Sequence, residues 1–258
     1  MPIAELSDHH DPVGRGDYIS RQHVARYRFA VEQLGAISRP LRILDIASGA
    51  GYGTAALRAR GHDVIGADAE AMTVGAARRR HGPGRWLVAD ARALPFPDRS
   101  FDAVVSFETL EHVVDGGALL DELRRVLIPG GRLICSTPNI RYTAHPAFHL
   151  KEYEPGEFFA LIGERFSDVR RFGQYFRLRD RARDLYTWYL QRSVLRVADR
   201  SGVRPLWHRV RRTSRSRAGN AGDAPQQALA ADRAHAVAAL RGEQMLRIMV
   251  TVATRPEE

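Results

Sequence analysis

Two short stretches in the middle of the chain hold side chains whose types and spacing suit metal or proton chemistry. In FETLEHV, Glu108 and Glu111 stand three residues apart with His112 adjacent, so the two carboxylates share a face if the segment is helical. Two carboxylates and an imidazole suit Mg²⁺ or Mn²⁺ completed by water and substrate oxygens. In AHPAFHLKEYEP, His145 and His149 offer imidazoles with the right ordinary pKa for a general base near neutrality, and Glu152 is spaced to orient the second. His149 is the first choice as base and His145 the second. A loop histidine that only hydrogen-bonds locally is the competing reading for each.

A third set combines carboxylates with bare backbone. LDIASGAGYG ends an apolar run with Asp45 and follows it with Gly49, Gly51 and Gly53, which let a ligand approach the chain closely and permit positive φ. There is no Lys-Ser/Thr pair of a phosphate-binding loop, and Asp45 would sit where phosphates would need to be. A ligand bearing an ammonium or sulfonium group fits better. Asp68 ends the next apolar run, where a carboxylate can accept both hydroxyls of a ribose, and Asp90 ends a third, within reach of an adenine amino group. Each Asp could instead cap a following helix. Acidic residues at three successive strand ends argue against that reading.

These residues need a scaffold that brings strand ends together. Short apolar runs at 41–47, 62–68, 85–90, 101–107 and 131–138 alternate with helical segments at 52–61, about 69–81 and 116–127. Two further strands are expected at 167–173 and from Met245, with a helix at 157–166 before them. The pattern predicts an α/β fold, a Rossmann-like seven-stranded and mostly parallel sheet with helices on both faces, in a single domain spanning 1–258. A helical, Arg-rich insertion at 176–243 precedes the last strand, and its Ser/Arg/Gly/Ala-rich part near 213–228 reads as a loop.

LDIASGAGYG, VIGAD, VADARALPFPDRSFDAVV, FETLEHV and LRRVLIPGGRLICSTPN together resemble the class I S-adenosylmethionine-dependent methyltransferases, over roughly 20–175 and the final strand. The family usually shows E/D-x-G-x-G; here Asp45, Ala47, Gly49 and Gly51 stand in that motif, with alanine at the first glycine position. The resemblance implies S-adenosylmethionine as cofactor and S-adenosylhomocysteine as product. It implies that Asp45 and the backbone of Ala47, Ser48, Gly49 and Gly51 hold the methionine moiety, Asp68 with Ala69 the ribose, and Asp90 with Ala91 the adenine, with Phe107 beside the sulfonium. Residues 1–38 correspond to a cover-helix region in which Arg26, within QHVARYRFA, meets the cofactor carboxylate.

FETLEHV resembles the E-x-x-E-H cluster of ubiquinone-pathway O-methyltransferases, which makes Glu108, Glu111 and His112 the metal set; other family members use E-H without a metal to order the active-site loop. AHPAFHLKEYEP resembles the N-P-F-H-x-x-E-[FY] segment of bacterial sugar methyltransferases, with Phe148, His149, Glu152 and Tyr153 matching and His145 in place of Asn. The reading that results is an O-methyltransferase acting on a sugar or oligosaccharide hydroxyl, Mg²⁺-assisted, of the kind that methylates mannose polysaccharides in actinobacteria. Tyr142, Tyr153, Tyr175 and Trp188 would offer platforms for sugar rings. One alternative is methylation of a quinone, polyketide or lipid precursor. The other is a non-catalytic module that binds S-adenosylmethionine or RNA.

Composition narrows the partners. The formal charge of +9 is concentrated: Arg177 to Arg217 holds 13 arginines against three aspartates, a local net of +10, and the remainder is close to neutral. Lys151 is the only lysine, which points to an arginine-biased composition, so nucleic acid is not the expected partner; the segment reads first as a solvated helix face, with an anionic or polyhydroxyl acceptor or a homodimer contact as the other readings. Cys135 is the only cysteine and lies in an apolar run, which excludes an internal disulfide and a Cys-based zinc cluster and predicts a buried structural thiol. Neither a signal peptide nor a run of roughly 20 apolar residues is visible, so a cytoplasmic protein without a transmembrane segment is expected.

Overall fold

The apolar runs become strands of one sheet, and the helical segments between them carry the chain back across its faces. The computed structural model describes residues 18–143, 148–175, 237–239 and 246–257. In chain order the elements are α1 (Tyr18–Gly35), β1 (Arg42–Ile46), α2 (Tyr52–Arg58), β2 (Asp63–Asp68), α3 (Ala71–His81), β3 (Trp86–Val88) and β4 (Phe101–Phe107), then α4 (Gly116–Val126), β5 (Leu127–Pro138), α5 (Pro155–Gly163), β6 (Ser167–Tyr175), β7 (Ala238–Ala239) and β8 (Leu246–Thr254). Short 3-10 turns follow β4 at Leu110–His112 and β5 at Ile140–Tyr142.

The strand order is β3-β2-β1-β4-β5-β8-β6-β7. β1 to β5 are mutually parallel, and β8 runs antiparallel between β5 and β6. The sheet has eight strands where seven were expected, because the two-residue β7 pairs with the outer edge of β6. It falls inside the stretch 176–243 read as a helical insertion; residues 176–236, with Trp188 and the arginine segment, lie outside the described residues. No helix among the described residues is long and apolar enough to cross a membrane.

Side chains alternate across the central strands, as period-two geometry requires. Leu44, Val104 and Leu133 face α4 and α5, packing with Leu119, Leu123, Phe158 and Ile162. Ile43, Val105 and Ile134 face α1 and α2, packing with Ala30, Val31, Leu34 and Leu57. Each fully buried aliphatic side chain contributes about 1.5–3 kcal/mol of transfer free energy. Cys135 is buried in this core, as expected, and burial pushes its thiol pKa well up.

β5 starts at Leu127, four residues before the expected Gly131. α4, capped by Asp115 accepting from the Ala118 N–H at 3.0 Å, runs directly into the strand. The ladder to β4 then shifts register between Phe101↔Leu127 and Ala103↔Arg132, where Gly130 takes φ 72°. Arg255, buried after β8, donates to the carbonyls of Arg124 and Leu127 and so satisfies the C-terminal end of α4. All the parallel strands thus end at one edge, which is where an open sheet of this kind builds its site.

Candidate active site

The turn after β1 is stitched to the end of β2. Ala47, Gly49 and Gly51 have φ of 53°, 55° and 81°. The Ser48 N–H donates to Ala67 O and the Gly49 N–H to Asp68 Oδ2, each at 3.0 Å. Asp68 Oδ1 accepts from the Glu70 N–H at 3.0 Å. The carboxylate is therefore fixed by backbone donors on both sides, in a local turn and not as a helix cap. Ala69 beside it is exposed.

The glycines do different jobs. A Cβ at Gly51 would lie 2.4 Å from the Trp86 ring, and its φ already favours glycine. Gly53 has no positive φ; it lies within α2, where a Cβ would stand 2.1 Å from the Tyr27 ring. Alanine is the better helix former by about 1 kcal/mol, so an exposed Gly→Ala change would stabilise. Here overpacking of about 1–3 kcal/mol outweighs that gain. Gly53→Ala is expected to lower the urea midpoint, and an unchanged or raised midpoint would show that Tyr27 does not close over α2.

Asp45 points into the core. It is fully buried, accepts from Tyr27 Oη at 2.9 Å and from Thr54 Oγ1 at 2.5 Å, and so joins β1 to α1 and α2. Burial pushes its carboxyl up to about 7 against the lowering by Thr54, Tyr27 and Arg58. In this arrangement both oxygens of Asp45 are engaged by neighbouring elements. Asp90, half-exposed, is gripped by the Arg92 guanidinium at 2.6 and 3.0 Å and accepts from the Arg92 N–H at 2.9 Å. Those hydrogen bonds hold its carboxyl below the ordinary Asp range. Ala91 is partly buried beside it.

Arg26 is 1% exposed and donates to Gln174 Oε1 at 2.7 Å, while its other terminal nitrogen lies 3.8 Å from Glu108 Oε2. Gln174 in turn donates to Gln22 O, tying β6 to α1. Arg26 Nε is buried without a hydrogen-bond partner. Glu108 itself has φ 53° and accepts from Ser136 Oγ at 3.0 Å. Phe107, expected beside a sulfonium, is buried edge-on to Tyr27 with ring centroids 5.1 Å apart.

The histidines converge from two loops. Candidate ligand atoms of Glu111, His112 and His149 all lie within 4.8 Å of one another. Glu111 is buried and its Oε2 accepts from Thr137 Oγ1 at 3.0 Å, while Oε1 has no partner. Burial, with Glu108 nearby, raises its carboxyl well above the ordinary Glu range. Its backbone carbonyl accepts from the Leu150 and Lys151 N–H groups, which clamps the loop of His149 onto the 3-10 turn. His112 Nδ1 lies 3.1 Å from Phe148 O, and His149 Nδ1 lies 2.9 Å from Glu152 Oε1.

Of the residues expected as a metal set, Glu111 and His112 stand together and Glu108 stands apart. Glu108 lies with Arg26 and Ser136, and His149 lies beside Glu111 and His112. His145 lies outside the described residues. Tyr153 is fully buried and offers no platform to a sugar ring. Ser136, Thr137 and Gln174 escaped the sequence reading, although polar residues ending the apolar run LICSTP were a usable signal for the first two.

Residues 44–135 match the family model described as a methyltransferase domain. The chain is similar to the demethylmenaquinone methyltransferase of Clavibacter sepedonicus, 50% identical over 105 residues, covering 38% of this chain and 43% of that protein. It is also similar to the demethylmenaquinone methyltransferase of Beutenbergia cavernae, 37% identical over 155 residues, covering 54% and 64%. The chain thus spans about half the length of the curated relatives it matches. Among solved structures, phosphoethanolamine N-methyltransferase 2 of Haemonchus contortus, in complex with S-adenosyl-L-methionine, aligns with a TM-score of 0.55 at 18% identity, covering 89% of this chain and 52% of that one. The fold is that of the α/β methyltransferases.

Proposed function

We propose that the protein is an S-adenosylmethionine-dependent methyltransferase whose acceptor is of the quinone class. The observation that carries the cofactor assignment is the turn Ala47–Gly51, with three positive-φ residues, tied by the Gly49 N–H to the Asp68 carboxylate at the adjoining strand end. Backbone in this conformation admits a ligand closely, and Asp68, already oriented by two N–H groups, has lone pairs left for ribose hydroxyls. The buried, partnerless Arg26 Nε fits a carboxylate-bearing cofactor on the α1 side. The cofactor supplies a methyl group made electrophilic by its sulfonium. The chain's part is to hold the acceptor in line and to take up or weaken the hold on its proton.

The acceptor class rests on two supports. The relatives matched are named for demethylmenaquinone. Around the two histidines, Val114, Phe148 and Leu150 are 74%, 53% and 59% exposed, an apolar rim suited to a flat ring or a prenyl chain. This displaces the sugar reading, for which the buried Tyr153 removes one platform.

Methyl transfer from labelled S-adenosylmethionine to a demethylated naphthoquinol, simple phenols and a panel of saccharides tests the proposal. Labelling of the quinol alone is expected; labelling of a saccharide alone would restore the sugar reading. His149→Ala is expected to lower turnover by about 100-fold or more while cofactor affinity stays within a factor of about two. Full activity would remove His149 from acceptor activation.

A further inference from the structure

We infer that Glu111, His112 and His149 form a binding site for one divalent transition-metal ion. Three ligand atoms of the right kind lie within 4.8 Å of one another, contributed by the turn after β4 and the loop after β5. Glu111 is 1% exposed and keeps an unpartnered Oε1 although Thr137 holds its other oxygen. A buried carboxylate oxygen without a partner is costly, and a cation in the cluster removes that cost.

The surroundings of the rings give independent support. The Phe148 carbonyl stands at His112 Nδ1 and the Glu152 carboxylate at His149 Nδ1, so each ring in its neutral form is set to donate from Nδ1, which would leave the Nε2 lone pair for an ion. Outer partners of this sort fix the tautomer and orientation of metal-bound histidines. Glu152 also makes His149 a stronger donor.

The ligand chemistry selects the ion. Two imidazoles and one carboxylate favour Mn²⁺, Fe²⁺, Co²⁺ or Zn²⁺ over Mg²⁺, which takes oxygen ligands and keeps its waters. The site therefore differs from the expected set in membership, and of the two ions expected it keeps Mn²⁺ and disfavours Mg²⁺. An ion here leaves open positions and would act as a Lewis acid at the sheet edge that holds the proposed cofactor turn. The same Nε2 lone pair of His149 cannot both bind an ion and accept a proton, so in this arrangement His149 is a ligand and not the base. Ion binding stands on the cluster alone; only its catalytic use rests on the methyl-transfer reading.

The test is a Co²⁺ titration of chelator-treated full-length protein, followed by visible absorption and by metal analysis after dialysis, with Mg²⁺ as a competitor. One equivalent of Co²⁺ is expected, with d–d bands that a large excess of Mg²⁺ does not bleach. Affinity should fall by about 10–100-fold in Glu152→Gln, through loss of the outer partner. Binding should disappear in His112→Ala, whose exposed ring can be removed without disturbing the core, and persist in Glu108→Gln. Circular dichroism confirms that each variant is folded. Absence of binding in the wild type, or retention of the same bands in both His112→Ala and His149→Ala, would overturn the assignment. Loss in Glu108→Gln with retention in His149→Ala would return the ion to the other grouping and overturn it equally. None of these outcomes depends on finding an acceptor.

Discussion

Asp68→Ala is expected to weaken S-adenosylmethionine binding by roughly 100- to 10,000-fold, measured by calorimetry or equilibrium dialysis. A carboxylate makes two hydrogen bonds to vicinal hydroxyls, each worth about 1.5–3 kcal/mol when the acceptor is charged. Asp68 is suited to give that full value because the Gly49 and Glu70 N–H groups already orient it, so little freedom is lost on binding. Losing those two bonds also loosens the turn itself, by about 1 kcal/mol each. Binding must therefore be read well below the melting temperature of the variant. Asp68→Asn separates the contributions: it keeps one acceptor oxygen but no charge, so it should fall between wild type and Asp68→Ala. Affinity within a factor of about three of wild type in Asp68→Ala would remove the ribose assignment.

Asp68 shows what a single sequence makes legible. A carboxylate at the end of an apolar run, in step with a glycine-rich turn one strand earlier, is a local pattern, and strand order then brings the two together. Asp45 lies in an equally clear motif, but its bond to Tyr27 is not legible there, because Tyr27 comes from α1 and nothing local signals that contact. The grouping around the histidines is illegible for the same reason. Glu108, Glu111 and His112 are adjacent in sequence, but the positive φ at Glu108 turns that side chain toward Ser136 and Arg26. His149, 37 positions beyond His112, reaches the cluster because its loop is clamped to Glu111 O by backbone hydrogen bonds. Gly53 is the opposite case: its place in a glycine-rich run suggests backbone freedom, yet its bare Cα makes room for Tyr27.

Asp45 leads to the second large effect, on stability. Burial raises its pKa most and the like charge of Asp68 on β2 adds to that, which outweighs what the hydrogen bonds from Thr54 on α2 and Tyr27 on α1 and the charge of Arg58 return. A folded value of about 7 against an ordinary 3.8 means that the folded protein binds a proton there which the unfolded chain does not. For a carboxyl raised in this way, the stabilisation is complete at low pH and is lost as pH rises toward the folded value. Between about pH 5 and about pH 8 it corresponds to about 2.5 kcal/mol, with greater stability on the acid side. His62, whose pKa is lowered by burial, acts against this trend, and the raised Glu111 acts with it. The informative quantity is therefore the difference in unfolding free energy between wild type and Asp45→Asn, taken by urea denaturation at both pH values. Asparagine keeps the size and an acceptor for Thr54 but cannot ionise, so the variant should match or exceed wild type near pH 8 and lose that advantage near pH 5. A difference that does not change with pH would mean that Asp45 is ionised throughout, and that Tyr27 and Thr54 satisfy a buried charge which the fold tolerates at no pH-dependent cost.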